Sequence, residues 1–280
     1  EMKKKRRIMQ VVIFLFFVLV AMYELFPLVF LFIGSIKDQS ELFTKGMSLA
    51  ITPDSLRLQN YLELITYKGG MYFKWFFNSF ILTVIYTVGG LVLSSLVGYG
   101  IGGYDFKGKN FVFVLVLIVM MIPLEIIVLP LYKLITNMGI IDSYAGVVLP
   151  FIVNCTAIFF FRQYVSSLPK DFQEAGRLDG CTELGLFTKI VVPLMKPAFG
   201  AMCILLSMYE WNSFMWPLIV MRSNDHFTLT VGIASLINPY TANYTIMLTG
   251  SVIAILPILI LFLCNQQFFI AGLTSGGVKG

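Results

Sequence analysis

Few residues of this sequence have the types and spacing that chemistry needs, and one group has part of the spacing of a phosphate-binding loop. Gly103, Gly108 and Lys109 fit the glycine and lysine positions of such a loop. The next residue is Asn110, which lacks the hydroxyl group that binds magnesium in these loops. The loop also requires a preceding strand, whereas a long apolar run precedes this one. We therefore predict no nucleotide-binding site here.

The sequence also lacks the residue combinations of enzymes and metal sites. It has one histidine, His226, to which we assign no role, and no HExxH, Asp-x-Asp or Ser–His pattern. The four cysteines have no CxxC spacing, so we predict buried, unreactive thiols. They are Cys155, Cys181, Cys203 and Cys264. The chain is therefore predicted not to be an enzyme, with no catalytic residue and no metal.

Polar side chains inside apolar runs are the remaining candidates, because they could contact a solute. Glu125 lies between Pro123 and Pro130. Its carboxylate could accept hydrogen bonds from sugar hydroxyls, or it could satisfy backbone groups that the prolines leave unpaired. Glu24 and Asn154 are similar cases, although an intramembrane asparagine often bonds only a neighbouring helix. The sequence leaves these alternatives open.

A second solute candidate is the consecutive set Glu210, Trp211 and Asn212. It places two hydrogen-bonding groups beside an aromatic ring, a combination that commonly holds sugars. Tryptophan also favours the membrane boundary, so anchoring at the interface is one alternative. A gate or a docking site at the outer end of the span is another.

Composition defines where these residues must lie. The chain has 280 residues, of which 58% are hydrophobic and 12% charged, and its mean hydropathy is +0.85. Soluble domains have about 25% charged residues, so we predict an all-α integral membrane protein. The net charge of +5 is explained by basic residues on one side of a membrane, and we predict no nucleic-acid partner.

Apolar runs predict six transmembrane helices, at 8–36, 76–102, 111–135, 144–164, 198–220 and 247–270. The first run is too long for a signal peptide. The 20 Lys and Arg residues divide into thirteen on one side and seven on the other, which predicts cytoplasmic termini. The predicted organisation is a cytoplasmic N-terminus (1–7), a first span (8–36), an external segment (37–74), a core domain (75–271) and a cytoplasmic tail (272–280). Gly98 and Gly102 form a GxxxG pair, which predicts close helix packing.

One long polar stretch interrupts the C-terminal two-thirds of the chain, and we call residues 167–197 the polar segment. Pro169 and the acids that follow predict a helix start, and Asp179-Gly180 predicts a turn. Gly180 is suited to a left-handed turn conformation. Leu184, Phe187 and Val191 then recur at helical spacing. The segment is therefore predicted to be helix, turn, helix, between the fourth and fifth spans.

The polar segment resembles the "EAA" loop of permease subunits of ATP-binding-cassette (ABC) importers. The resemblance rests on Glu174-Ala175-Gly176, Asp179-Gly180, and Ile190 with Pro193-Leu194. Two positions depart from the usual pattern, because Gly176 replaces alanine and Val192 replaces leucine. Further motifs are similar to sugar-uptake permeases, closest to the smaller permease of maltose-type importers. These motifs are Asn60-Tyr61, Met121-Ile122-Pro123, Pro130-Leu131-Tyr132, Leu149-Pro150, Leu168-Pro169, the stretch 211–218 and the ending 276–280.

The resemblance implies a type I ABC importer permease fold and a coupling helix that docks in a cleft of an ATPase subunit. The implied coupling residues are Glu174, Ala175, Gly176, Asp179, Gly180 and Phe187. Phe187 could equally pack back under the membrane helices. Gly276, Gly277 and Lys279 of the tail are implied to reach the ATPase interface, although a disordered end is the alternative.

The implied partners are a second homologous permease, two ATPase subunits that bind ATP and Mg²⁺, an external solute-binding protein, membrane lipid, and a sugar or oligosaccharide. The implied location is the bacterial cytoplasmic membrane, and no cofactor is implied in this chain. Two rival functions remain. One is an ABC permease for a non-sugar solute. The other is an ion-gradient transporter that uses Glu24 and Glu125, which would leave the polar segment unexplained.

Overall fold

A computed structural model of the chain describes residues 2–38, 51, 56–237 and 243–275, with side chains described as far as Gln267. Regular structure in these residues is helical, apart from an isolated antiparallel bridge between Lys37 and Leu56. The prediction of an all-α chain is thus confirmed for this part. The chain divides into two units, residues 1–72 with 233–255 and residues 73–232 with 256–280.

The helices are, in chain order, α1 (Met2–Ser35), α2 (Gln59–Thr66), α3 (Met71–Gly103), α4 (Lys109–Met120), α5 (Leu124–Asn137), α6 (Tyr144–Val148), α7 (Cys155–Ser167), α8 (Asp171–Leu178), α9 (Glu183–Leu194), α10 (Lys196–Trp211), α11 (Met215–Val220), α12 (Leu229–Ser235) and α13 (Tyr244–Ser275). Helix α9 contains a π-helical turn at Phe187–Val191. Such turns occur often at functional sites.

Three helices, α1, α3 and α13, are long and apolar enough to cross a membrane. Two further candidates are bent pairs, α4 with α5 at 100° and α9 with α10–α11 at 81°, so the described residues provide up to five spans on this criterion. The third span, 111–135, was predicted to be interrupted by Pro123 and Pro130, and the fourth, 144–164, to contain Pro150; each of these stretches contains two helices. Pro123 lies in the first break in an extended conformation, and Pro150 lies in the second. Pro130, also predicted to interrupt the third span, lies inside α5.

In the unit that contains α1, the end of this helix is held by the Asn60-Tyr61 pair. The Asn60 side-chain amide donates to the carbonyl oxygens of Ser35 at 2.9 Å and Lys37 at 2.8 Å. The Tyr61 hydroxyl lies 2.8 Å from the Ser35 hydroxyl. Helix α1 itself is exposed along most of its length, as expected for an apolar helix whose neighbours are lipid or another chain.

The other unit has a large apolar core, against which α3 and α7 pack very closely. A Cβ atom added to Gly98 would lie 2.7 Å from the Phe161 Cβ, and one added to Gly102 would lie 2.9 Å from the Arg162 carbonyl oxygen. The close packing predicted from the GxxxG pair is confirmed. Part of the polar segment belongs to the same core, through Phe187, Val191 and Met195. The core therefore fixes the second half of the polar segment.

Candidate functional site

The polar segment forms a sharp corner between α8 and α9. Gly180 follows α8 with φ +79°, which confirms its predicted left-handed conformation. The Cys181 N–H donates to the Gly176 carbonyl at 3.0 Å and the Gly180 N–H donates to the Arg177 carbonyl at 3.1 Å. This pair of bonds is a Schellman motif, which satisfies the last carbonyls of a helix. Thr182 then caps α9 by accepting from the Gly185 N–H at 3.1 Å.

Close packing holds α8 against α9. A Cβ atom on Gly176 would lie 2.5 Å from the side-chain ends of both Leu186 and Ile190. Alanine at this position would require the ends of these two side chains to shift. Phe187 is buried, with its ring centroid 5.2 Å from that of Tyr99. Phe187 was predicted either to contact the ATPase or to pack back under the membrane helices, and its position in this structure is the second.

The outward face of the corner carries both apolar and acidic side chains. Leu178 is 89% exposed and Leu184 is 66% exposed. The helix predicted from the spacing of Leu184, Phe187 and Val191 is present as α9, in which Phe187 and Val191 are buried and Leu184 is exposed. The exposed residues of α8 and the corner include Asp171, Phe172, Glu174, Ala175, Arg177, Leu178, Asp179 and Gly180. Exposed apolar side chains grouped in this way indicate a docking surface.

A cluster of charged and phenolic side chains joins the corner to the residues that follow α3. Arg177 donates two hydrogen bonds to the Glu183 carboxylate, at 3.0 Å and 3.2 Å. The Tyr104 hydroxyl donates to the same carboxylate, and the Arg177 guanidinium lies 5.6 Å from the centroid of the Tyr104 ring. Hydrogen bonding to Glu183 raises the pKa of Arg177. Burial, and then the bond to Glu183, raises the pKa of Tyr104.

Asp105, the residue after Tyr104, makes a second connection to the polar segment. Its carboxylate pairs with Lys109 at 3.1 Å and with Lys170 at 3.5 Å, and Lys170 directly precedes α8. The hydrogen bond from Lys109, followed by its charge, lowers the pKa of Asp105. The residues after α3 therefore contact α8 near its start and near its end.

A cavity of about 510 Å³ lies where the two broken helices meet α10. Both breaks line it, the first through Ile122 and the second through Pro150 and Asn154. Non-helical backbone at membrane depth is tolerated where it is buried in protein or lines a water-filled cavity. The side chains of Tyr209 and Met202 line it from α10. The volume and the mixed lining could accommodate a small solute.

Near the N-terminal end of α3, opposite to the polar segment, Asp142 holds the loop that follows α11. Its carboxylate accepts from the Arg222 N–H at 2.8 Å and the Ser223 N–H at 3.2 Å, and lies 3.2 Å from the His226 ring. Burial would raise the pKa of Asp142, but these donors outweigh it and lower the pKa to about 2. Asn78 of α3 donates to two carbonyls of the same loop.

Residues 90–269 match the family described as binding-protein-dependent transport system inner membrane component. The chain belongs to this family. It is 54% identical to the arabinooligosaccharides transport system permease protein AraQ of Bacillus subtilis (strain 168), over 95% of this chain and 94% of the relative. It is 30% identical to the lactose transport system permease protein LacG of Rhizobium radiobacter, over 98% of each chain.

A solved structure has the same fold. One chain of a bacterial ABC transporter involved in the import of the acidic polysaccharide alginate superposes with a TM-score of 0.81. The match has 21% identity and covers 94% of this chain and 97% of that chain. Together with the family match and the permease relatives, this makes the chain an ABC importer permease, and the predicted family and fold are confirmed at that level. It is a permease subunit of a bacterial membrane transport system.

The predicted solute residues of this permease do not form one cluster in the described residues. Asn154 lines the cavity, where its side chain accepts from the Ala157 N–H at 3.0 Å and donates to the Tyr86 hydroxyl at 3.0 Å. Glu125 is exposed in the first turn of α5, and Glu24 is exposed on α1. Neither Glu125 nor the set at 210–212 lines the cavity.

The set at 210–212 has mixed surroundings. Glu210 is 7% exposed, and its Oε1 has no hydrogen-bond partner among the described residues. The buried Trp211 ring packs edge-on against Phe76, at 5.5 Å between centroids. Asn212 is exposed, and its side chain donates to the Met208 carbonyl at 2.8 Å. These contacts place Glu210 and Trp211 inside the helix packing.

The sequence analysis missed Tyr104, Tyr209 and the pairing of Asp142 with His226. Tyr209 stacks on Tyr86, with centroids 5.8 Å apart. No local pattern reveals these residues, because their partners are distant in the chain. The predicted tail contacts, Gly276, Gly277 and Lys279, lie outside the described residues.

Proposed function

We propose that this permease is one of two translocation subunits of an ATP-driven importer that receives oligosaccharides from an external binding protein. The observation that carries the proposal is the corner of the polar segment. In a largely apolar protein, an ordered Schellman turn presents exposed acidic and apolar side chains outward. Such a surface fits a protein partner better than it fits water or lipid.

The proposed topology has six spans with both termini in the cytoplasm. The spans are α1, α3, α4 with α5, α6 with α7, α10 with α11, and α13. Thirteen of the 20 Lys and Arg residues then face the cytoplasm. In this orientation the polar segment is cytoplasmic, where an ATPase could reach it. Residues 1–7, 8–36, 37–74, 75–271 and 272–280 keep their predicted assignments.

Coupling is assigned to α8 and the corner. Glu174, Ala175, Asp179 and Gly180 would contact an ATPase subunit, together with the exposed Phe172, Leu178 and Leu184. Gly176 would act by holding α8 close to α9, and Phe187 by anchoring α9 in the core. ATP and Mg²⁺ would bind to the two ATPase subunits. The tail residues Gly276, Gly277 and Lys279 would reach the same interface.

The solute path is assigned to the cavity beside the two helix breaks, completed by a second homologous permease. Asn154 and Tyr209 supply polar and aromatic groups there. Glu125, Glu210, Trp211 and Asn212 remain candidates for gating or for contacts with the partner permease. The proposed substrates are arabinose oligosaccharides, because relatives with that substrate in their names are 54% and 49% identical.

The experiment replaces Gly180 in the importer purified from membranes through a tag on this chain. Leucine at φ +79° is strained, whereas asparagine of similar size tolerates that conformation. A Cβ atom at Gly180 meets nothing within 4 Å in this chain. We expect Gly180→Leu to lower the recovery of ATPase subunits and solute uptake, and Gly180→Asn to retain both. Normal assembly and uptake in Gly180→Leu would contradict the coupling assignment.

Substrate class is tested separately by stimulation of ATP hydrolysis in the same complex. The binding protein is supplied with arabinose oligosaccharides, lactose or sn-glycerol 3-phosphate. The last solute represents the non-sugar alternative, since a relative from Escherichia coli named for it is 29% identical over 90% of this chain. Stimulation by glycerol phosphate alone would overturn the oligosaccharide assignment. Uptake that persists without ATP would favour the ion-gradient alternative.

A further inference from the structure

We propose that Tyr104 and Asp105 are positioning residues that tie the coupling helix α8 to the end of α3, so that movement of α8 displaces α3 directly. The proposal rests on the proposed docking of an ATPase at α8. It adds a route for that movement that does not pass along the backbone through α7 or α9. It also assigns a role to the loop after α3, which has the partial spacing of a phosphate-binding loop.

The first tie lies near the start of α8. Lys170 directly precedes α8, and its Nζ lies 3.5 Å from the Asp105 carboxylate. The same carboxylate pairs with Lys109 at 3.1 Å, in the first turn of α4. One carboxylate thus joins the beginning of α8 to the connection between α3 and α4.

The second tie lies near the end of α8. Arg177 makes a two-point hydrogen bond to Glu183, which holds the guanidinium and carboxylate in one relative orientation. The Tyr104 hydroxyl bonds that carboxylate, and it lies 3.1 Å from the Tyr99 hydroxyl of α3. The Tyr99 ring in turn contacts Phe187 of α9. Polar and aromatic contacts therefore run from α8 through Glu183 to α3.

A purely stabilising role would not explain this arrangement well. The Arg177 and Glu183 side chains are 40% and 57% exposed, and exposed ion pairs contribute little to folding stability. Two ties, one near each end of a two-turn helix, instead restrict its translation and its tilt relative to α3. Loss of one tie should therefore change energy coupling more than it changes assembly.

The test uses the whole importer in proteoliposomes, with Tyr104→Phe, Arg177→Glu, Glu183→Arg and the double reversal Arg177→Glu/Glu183→Arg. Three quantities are measured: ATPase subunits recovered, ATP hydrolysis rate, and solute taken up per ATP. We expect each single variant to retain assembly and hydrolysis, while uptake per ATP falls by about fivefold or more. The double reversal should restore it, because the pair is rebuilt and the guanidinium placed at position 183 can donate to the Tyr104 hydroxyl.

Lys107→Gln is the matched control, since Lys107 is exposed in the same loop and outside both ties. It should leave uptake per ATP unchanged. Unchanged uptake per ATP in the single variants, or no recovery in the double reversal, would overturn the proposal. So would loss of the ATPase subunits from the single variants, because that result assigns the pair to docking. Failure of the unmodified chain to recover ATPase subunits would instead refute the proposed function.

Discussion

Replacement of Gly98 by alanine tests whether the contact between α3 and α7 controls the stability of this permease. The added Cβ would lie 2.7 Å from the Phe161 Cβ, 3.0 Å from the Arg162 backbone nitrogen and 3.1 Å from the Ile158 carbonyl oxygen. Carbon atoms in favourable contact are about 3.5–4.0 Å apart. The distance between the two Cβ atoms would therefore be roughly 1 Å shorter than a favourable contact. Two of the three atoms belong to the α7 backbone, so a change of side-chain rotamer cannot relieve the contact.

The expected cost follows from this geometry. Forcing an extra methyl group into a packed contact costs about 1–3 kcal/mol. Alanine also removes the penalty of a helical glycine, which is about 0.5–1 kcal/mol. Gly100→Ala provides the control, because a Cβ there meets nothing within 4 Å on the same helix. Both variants gain the same stability from replacing a helical glycine. The difference between their free energies of unfolding therefore measures the packing cost at Gly98, about 1–3 kcal/mol.

The assay is reversible unfolding of the purified permease in mixed micelles with increasing SDS, followed by tryptophan fluorescence. Gly98→Ala should unfold at a lower SDS fraction than the unmodified chain, and Gly100→Ala at an equal or higher fraction. Equal midpoints for the two variants would refute the argument, since Gly98 approaches α7 and Gly100 does not.

Two further predictions concern polar side chains with defined partners. Asn154→Ala removes the cap of α7 and the bond to Tyr86, and should lower the free energy of unfolding by about 1 kcal/mol or more in the same SDS titration; an unchanged midpoint would contradict the cap. The pKa of Asp142 is about 2 in the folded chain and about 3.9 when unfolded, so its stabilising effect is complete above pH 4 and is lost as the pH falls toward 2. The free energy of unfolding of Asp142→Asn should therefore fall less between pH 4 and pH 2 than that of the unmodified chain. Identical dependence of stability on pH in the two proteins would contradict the assignment.

Local sequence patterns predicted those features of the permease that depend on neighbouring residues. The GxxxG spacing predicted the approach of α3 to α7, because the absence of a side chain acts at the residue itself. Gly180 was predicted to adopt a left-handed conformation, since asparagine and glycine are the residues that tolerate it. Both features are present.

Features that depend on direction or on distant partners were not predicted. Hydropathy cannot separate one straight helix from two helices bent by 100°, since both have the same composition. Glu125 was predicted to lie at membrane depth, but the sequence did not predict that it would occupy an exposed position in the first turn of α5, directly after the break at Pro123. Tyr104 and Glu183 are 79 positions apart, so no periodicity connects them.

The unbroken helix α3 gives these separate observations one physical connection. It contains no proline, and its 33 residues span about 50 Å at 1.5 Å per residue. Near one end, Trp75 and Asn78 donate to carbonyls of the loop at 224–227, the loop that Asp142 also holds. At the other end, Tyr99 contacts Tyr104 and the polar segment. Because a continuous helix resists bending more than the broken helices around the cavity, we expect a displacement at α8 to be transmitted along α3 under the proposed coupling. We expect the cavity, which is bordered by helix breaks, to change shape in response.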